Sequence, residues 1–245
     1  MKIEVLGCSG GIGGQHLRTT SLLVDRDLLI DAGTGVADLA LTELAAIDHV
    51  FLTHSHLDPV SDLRQKPLCV YGLTATLEAI AAHIFNWVIW PDFTRIPSAE
   101  FPLMVYCPLT IGQRVELDGR SITVLPAEHT VPAVGYQLDS GNGSLVFTGD
   151  TTVNDRFWPV VNQIANLRYL LIETAFPDRE QRLAEISKHL CPSMLVSELS
   201  RLNKRIEVYV SHLKPGLVEL TMAEIDAGFA DNSPRMLKHR QTFIV

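Results

Sequence analysis

Five apolar, strand-like runs in this chain each deliver a residue that can ligate a metal or carry a proton, and that recurrence limits the fold more than any other feature. Val50-Phe51-Leu52 leads into Thr53-His54-Ser55-His56-Leu57-Asp58. Val124-Leu125 leads to His129, Ser144 to Phe147 leads to Asp150, Tyr169 to Ile172 leads to Glu173, and Glu207 to Val210 leads to His212. A lone histidine after a strand is more often structural than a ligand; the joint pattern is what carries meaning. Within His54-Ser55-His56-Leu57-Asp58 the spacing of two is the strand period, so in extended backbone the three side chains point the same way. Fully extended, His54 and Asp58 would stand roughly 13 Å apart, so the segment must curl if all three reach one site. Two imidazoles and a carboxylate are a ligand set suited to zinc, and also accept manganese or iron.

The bulk composition narrows the classes. With 47% hydrophobic and 20% charged residues the chain has the make-up of a globular enzyme. A net charge of -8 without a basic block argues against a nucleic-acid partner. At 245 residues the expectation is a single domain over 1–245, with or without an insertion. Met1-Lys2-Ile3-Glu4-Val5 opens as a strand with no leader pattern, and no run is long enough to span a membrane, so a cytoplasmic location is expected. Cys8, Cys69, Cys107 and Cys191 are widely spaced without a CxxC, which reads as reduced thiols.

Taken in order, Ile3 to Leu6 is a strand ending in the glycine-rich Gly7-Cys8-Ser9-Gly10-Gly11-Ile12-Gly13-Gly14. Neither phosphate-loop spacing is present, so the glycines read as allowing close backbone approach. Two β-rich runs follow around an Arg-Asp turn (25–27), then a stretch of helical periodicity from Val36 to Ile47. Leu68 to Tyr71 is another strand, and Thr74 to Phe85 reads as a helix. Asn86 to Phe93 is aromatic-rich and reads as lid or core packing, with base stacking or a homodimer contact as the other readings. A Gly-Asn-Gly turn (141–143) predicts a hairpin, and helices are predicted over about 178–189 and from Ser193 to Leu202.

These pieces resemble the metallo-β-lactamase superfamily: Thr53-His54-Ser55-His56-Leu57-Asp58, His129, Thr148-Gly149-Asp150-Thr151 and Val210-Ser211-His212 stand in that superfamily's order and cover nearly the whole chain. The resemblance implies an α/β, four-layer αββα sandwich with two metal ions at one edge of the sheets. A closer resemblance, to the class II cyclic-nucleotide phosphodiesterases, rests on His54-Ser55-His56-Leu57-Asp58, on His83-Ile84-Phe85-Asn86-Trp87 with Trp90-Pro91, on Glu173-Thr174-Ala175-Phe176, on Ser187-Lys188-His189-Leu190-Cys191-Pro192, and on Ser211-His212-Leu213-Lys214-Pro215. Carried over by position, it implies His54, His56 and His129 on one metal, Asp58 and His212 on the second, and Asp150 bridging. Zinc is the metal it implies first. Glu173 and His189 resemble an acid–histidine pair beside the leaving group, so Asp58, Glu173 and His189 form the implied catalytic set. The family motif carries a histidine where this chain has Pro59, which implies a weaker second site.

The activity this resemblance implies is that of a metal-dependent hydrolase. It would open 3′,5′-cyclic nucleotides (cAMP or cGMP) to nucleoside 5′-monophosphates through a metal-bound hydroxide, with His189 protonating the departing oxygen. A tRNA-processing or other phosphodiesterase or hydrolase of the superfamily is one alternative. A degenerate, non-catalytic cyclic-nucleotide binder, made plausible by Pro59, is the other. Asp31, at a strand end, is a candidate outer acceptor for a ligand histidine.

Overall fold

The computed structural model describes residues 1–13, 17–55 and 67–245. Two seven-stranded sheets face each other. The first contains β1 (Lys2–Gly7), β2 (Ser21–Val24), β3 (Leu28–Ile30), β4 (His49–Phe51), β5 (Leu68–Leu73) and β6 (Met104–Leu109) in that spatial order. The second holds β7 (Arg114–Leu117), β8 (Arg120–Pro126), β9 (Val134–Asp139), β10 (Ser144–Phe147), β11 (Leu167–Glu173), β12 (Glu207–Ser211) and β13 (Arg235–Met236). The last strand, β14 (Thr242–Ile244), returns to pair antiparallel with β1 on the first sheet.

Both sheets are covered on both faces, which is why their strands read as unbroken apolar runs rather than alternating ones. Successive residues go to different cores. Leu28 and Ile30 enter the core between the sheets while Leu29 faces outward, and Leu145 and Phe147 enter that core while Val146 faces outward. The outer face of the first sheet packs against α2 (Thr74–His83) through Leu77, beside the one-turn α1 (Leu41–Leu44). The outer face of the second sheet packs under α3 (Phe157–Val161), α5 (Pro192–Leu199) and α6 (Val218–Gly228), with α4 (Gln181–Ser187) leading into α5. This is the expected αββα sandwich. Among the described residues no helix is long and apolar enough to cross a membrane.

One expected element differs. The stretch 36–47 is a 3-10 turn over Thr34–Asp38 followed by α1 alone, because Leu39 and Ala40 are extended between them. That break buries Leu39 in the outer core and lets Asp38 take a bidentate ion pair from Arg18 at 2.8 and 2.9 Å.

Candidate metal centre

Register explains why the strand ends converge. β10, β11 and β12 run parallel, with Phe147 beside Leu171 and Glu173 beside Ser211, so Asp150, Glu173 and His212 emerge at one edge. His54 follows β4 of the facing sheet and His129 follows β8. Their rings form one row: His54 to His129 at 5.5 Å between centroids, His129 to His189 at 4.9 Å, His189 to His212 at 4.9 Å. Asp150 lies within this row, its Oδ2 3.6 Å from His54 Nε2 and its Oδ1 3.1 Å from His212 Nδ1. Donor atoms of His54, His129 and Asp150 all lie within 4.8 Å of one another, and so do those of Asp150, His189 and His212. Asp150 belongs to both groups, the position a bridging ligand requires. His56 and Asp58, the other expected ligands, lie outside the described residues, as does Pro59.

The outer nitrogen of each ring fixes which nitrogen faces the centre. Thr53 donates its N–H to Asp31 Oδ1 at 2.8 Å and its hydroxyl to Asp31 Oδ2 at 2.7 Å. With that hydroxyl proton committed, Thr53 Oγ1 accepts from His54 Nδ1 at 2.8 Å, which leaves the lone pair on Nε2 toward Asp150. Asp31 thus acts on His54 through Thr53. His129 Nδ1 donates to the Lys188 carbonyl at 3.1 Å, and Lys188 holds that carbonyl in place from a left-handed backbone (φ 53°). His189 Nδ1 lies 2.6 Å from Glu173 Oε1. His212 has a donor on its outer side: Lys214 Nζ is 3.2 Å from Nε2.

The donor set fits a divalent cation. His212 Nδ1 is buried without a hydrogen bond although Asp150 Oδ1 faces it at 3.1 Å, as two ligands would around a shared ion. Ionisation agrees: burial pushes His212 down to about 3, so its imidazole is neutral. Burial would push Asp150 up, but the surrounding histidines, His212 foremost, outweigh it and hold the carboxyl at about 2. Neutral imidazole and ionised carboxylate are the ligand forms a metal needs.

Glu173 is fully buried, and burial pushes it up to about 7 against the pull of His189. Its Oε1 also accepts the Thr151 N–H at 3.1 Å, and its Oε2 the Leu190 N–H at 3.3 Å. Burial disfavours charge on His189, but the bond to Glu173 outweighs it and raises the imidazole above its ordinary value. The pair is therefore built to keep a proton on a ring that faces the centre.

His54, Asp150, His189 and His212 open on a cavity of about 420 Å³. Ser9, Gly10 and Gly11 form part of its wall, and a Cβ on Gly10 would meet the His212 carbonyl oxygen at 2.1 Å, so the backbone approach there requires glycine. The aromatic segment divides in two. Phe85 and Phe93 pack edge-on at 5.6 Å, while Trp87, Val88, Ile89 and Trp90 are exposed, Ile89 and Trp90 also lining the cavity. Asn86 organises the turn by accepting the N–H groups of Val88 and Ile89 at 2.9 and 3.0 Å. Sequence reasoning missed Thr53, the Lys188 carbonyl and Lys214. The first two act through a neighbour or through backbone, for which residue type gives no signal. Lys214 sits two residues after His212, where a cation at strand spacing is the one signal that could have found it.

The beta-lactamase superfamily domain model matches residues 26–213. A probable 3′,5′-cyclic-nucleotide phosphodiesterase of Yersinia pestis is 24% identical, with 93% of this chain and 84% of that protein covered. A ribonuclease Z of Mycobacterium bovis is 28% identical over 63% of this chain and 64% of its own length. The crystal structure of unliganded yeast PDE1 superposes with a TM-score of 0.77 at 16% identity, covering 100% of this chain and 99% of that one, a likeness of fold.

Proposed function

This chain belongs to the beta-lactamase superfamily and is a hydrolase of the metallo-β-lactamase fold, and from that premise we propose that it is a phosphodiesterase opening 3′,5′-cyclic nucleotides to nucleoside 5′-monophosphates. The observation that carries the reading is the buried Glu173–His189 pair, whose imidazole lines the same cavity as His54, Asp150 and His212, a proton donor set beside a metal-ligand cluster. Relatives named 3′,5′-cyclic-nucleotide phosphodiesterases support the substrate class.

In this reading His54, His56 and His129 would hold one divalent ion, Asp58 and His212 the second, and Asp150 both; zinc suits the set, with manganese or iron as alternatives. When bound, the ions supply Lewis acidity toward phosphoryl oxygens and a water of lowered pKa. His189 holds a proton at Nε2 for the departing ribose oxygen, and Glu173, bonded to Nδ1, stabilises the ring while it is charged. Ile89 and Trp90 line the same cavity. The ribonuclease Z relatives give a second reading, nucleic-acid phosphodiester cleavage. A net charge of -8 weighs against it, because neutralising phosphates with Lys and Arg dominates polyanion affinity.

The test is hydrolysis of cAMP and cGMP by purified protein with zinc or manganese added and with a chelator as control. Chelator-sensitive release of the 5′-monophosphate is expected. Metal-loaded protein that leaves both cyclic nucleotides intact would refute the proposal.

A further inference from the structure

We infer that Lys214 is a substrate-binding residue whose ammonium takes a non-bridging oxygen of the scissile phosphate. The inference rests on the phosphodiesterase reading above for the identity of the reacting group.

Among the described residues, three of the four histidines at the centre have an acceptor on their outer side: Thr53 Oγ1 for His54, the Lys188 carbonyl for His129, Glu173 for His189. His212 is the exception, with Lys214 Nζ at 3.2 Å from Nε2. An ammonium has no lone pair, so this contact requires the lone pair of His212 to sit on Nε2. A neutral imidazole has only one such nitrogen. The nitrogen that faces Asp150 is Nδ1, at 3.1 Å, and it is the one available to a cation shared with Asp150. If Nδ1 gave its lone pair to a metal, Nε2 would carry the proton and two donors would face each other. Loading the site would therefore break the Lys214–His212 bond.

What remains to Lys214 is the Gly10 carbonyl at 2.8 Å and the face of Phe176, 5.6 Å from the ring centroid. Among the described residues no carboxylate lies within 4.0 Å of Nζ. A half-buried ammonium with one neutral acceptor is an unpaired charge, and charges removed from water are ordinarily paired. The chain holds it there: the Lys214 N–H donates to the Ala175 carbonyl at 3.2 Å and Pro215 follows. Lys214 lines the cavity beside Asp150, His189 and His212. The missing partner is thus an anion entering that cavity next to the leaving-group pair. A phosphate oxygen there gains a charge-assisted bond.

The test is titration of metal-loaded wild type, Lys214→Met and Lys214→Arg with inorganic phosphate by calorimetry, with metal content measured on each, and KM and kcat measured on bis(p-nitrophenyl) phosphate. Lys214→Met should keep its metal, bind phosphate at least about tenfold more weakly and raise KM; Lys214→Arg should recover part of the affinity. Lys214→Met with full metal and unchanged phosphate affinity would overturn the inference. So would loss of metal in both variants, which would make Lys214 a prop for His212. Because the probes are inorganic phosphate and a generic diester, the cyclic-nucleotide reading can fail in its own assay while this dependence on Lys214 stands, and the reverse.

Discussion

At the residue scale, the centre depends on which nitrogen of each imidazole is free, and that is decided by atoms outside it. Thr53 is the clearest case. Its two bonds to Asp31 consume its donors and make its oxygen an acceptor for His54. Thr53→Val keeps the shape and removes the relay, so metal affinity should fall about 10–100-fold, the usual effect of losing an outer partner; an unchanged dissociation constant in a competitive chelator titration would show that His54 orients itself. His189 stands closer to a boundary, because its donor atom lies within ligand distance of Asp150 and His212. If its work is proton transfer, His189→Ala should lower kcat by about 10²–10⁴-fold and leave the metal-to-protein ratio intact. A variant stripped of metal would instead make His189 a ligand.

At the element scale, what was legible in the sequence was the end of each strand, and what was hidden was everything that depends on partners far along the chain. Buried strands announce themselves as apolar runs, so β4, β8, β10, β11 and β12 and the residues after them could be read directly. The helical periodicity over 36–47 misled because Leu39 gains more from reaching the outer core in extended backbone than from continuing a helix. Helix α6 and the return of β14 to β1 went unread: their amphipathic signal is weak until the surface they cover exists. Arg120 at the start of β8 was equally silent. It is buried and forks onto the turn between β2 and β3, donating to Asp27 twice at 2.7 Å and to Asp25 at 3.0 Å, and so ties the two sheets together. The bond from Arg120 holds the Asp27 carboxyl below its ordinary value, so its stabilisation is complete above about pH 4 and is lost as pH falls through the depressed folded value. Arg120→Met should cost about 1–3 kcal/mol at pH 7 by urea unfolding. The gap from wild type should narrow at pH 3 and below; an equal gap at both pH values would remove the ion pair as the cause.

At the scale of the whole molecule, the sandwich brings together donors that neither sheet owns alone. His54 comes from the first sheet; His129, Asp150, His189 and His212 come from the second or its connections. Asp150 is the common member of both donor groups, 5% exposed and placed between histidines from both sides. One carboxylate therefore decides both halves of the centre. The most direct measurement is metal content by mass spectrometry together with 5′-AMP release from cAMP, on wild type and Asp150→Ala side by side. Wild type should carry divalent metal and release 5′-AMP, and Asp150→Ala should lose both while remaining folded by circular dichroism. An Asp150→Ala protein that keeps its metal and still hydrolyses cAMP would contradict a centre built on Asp150.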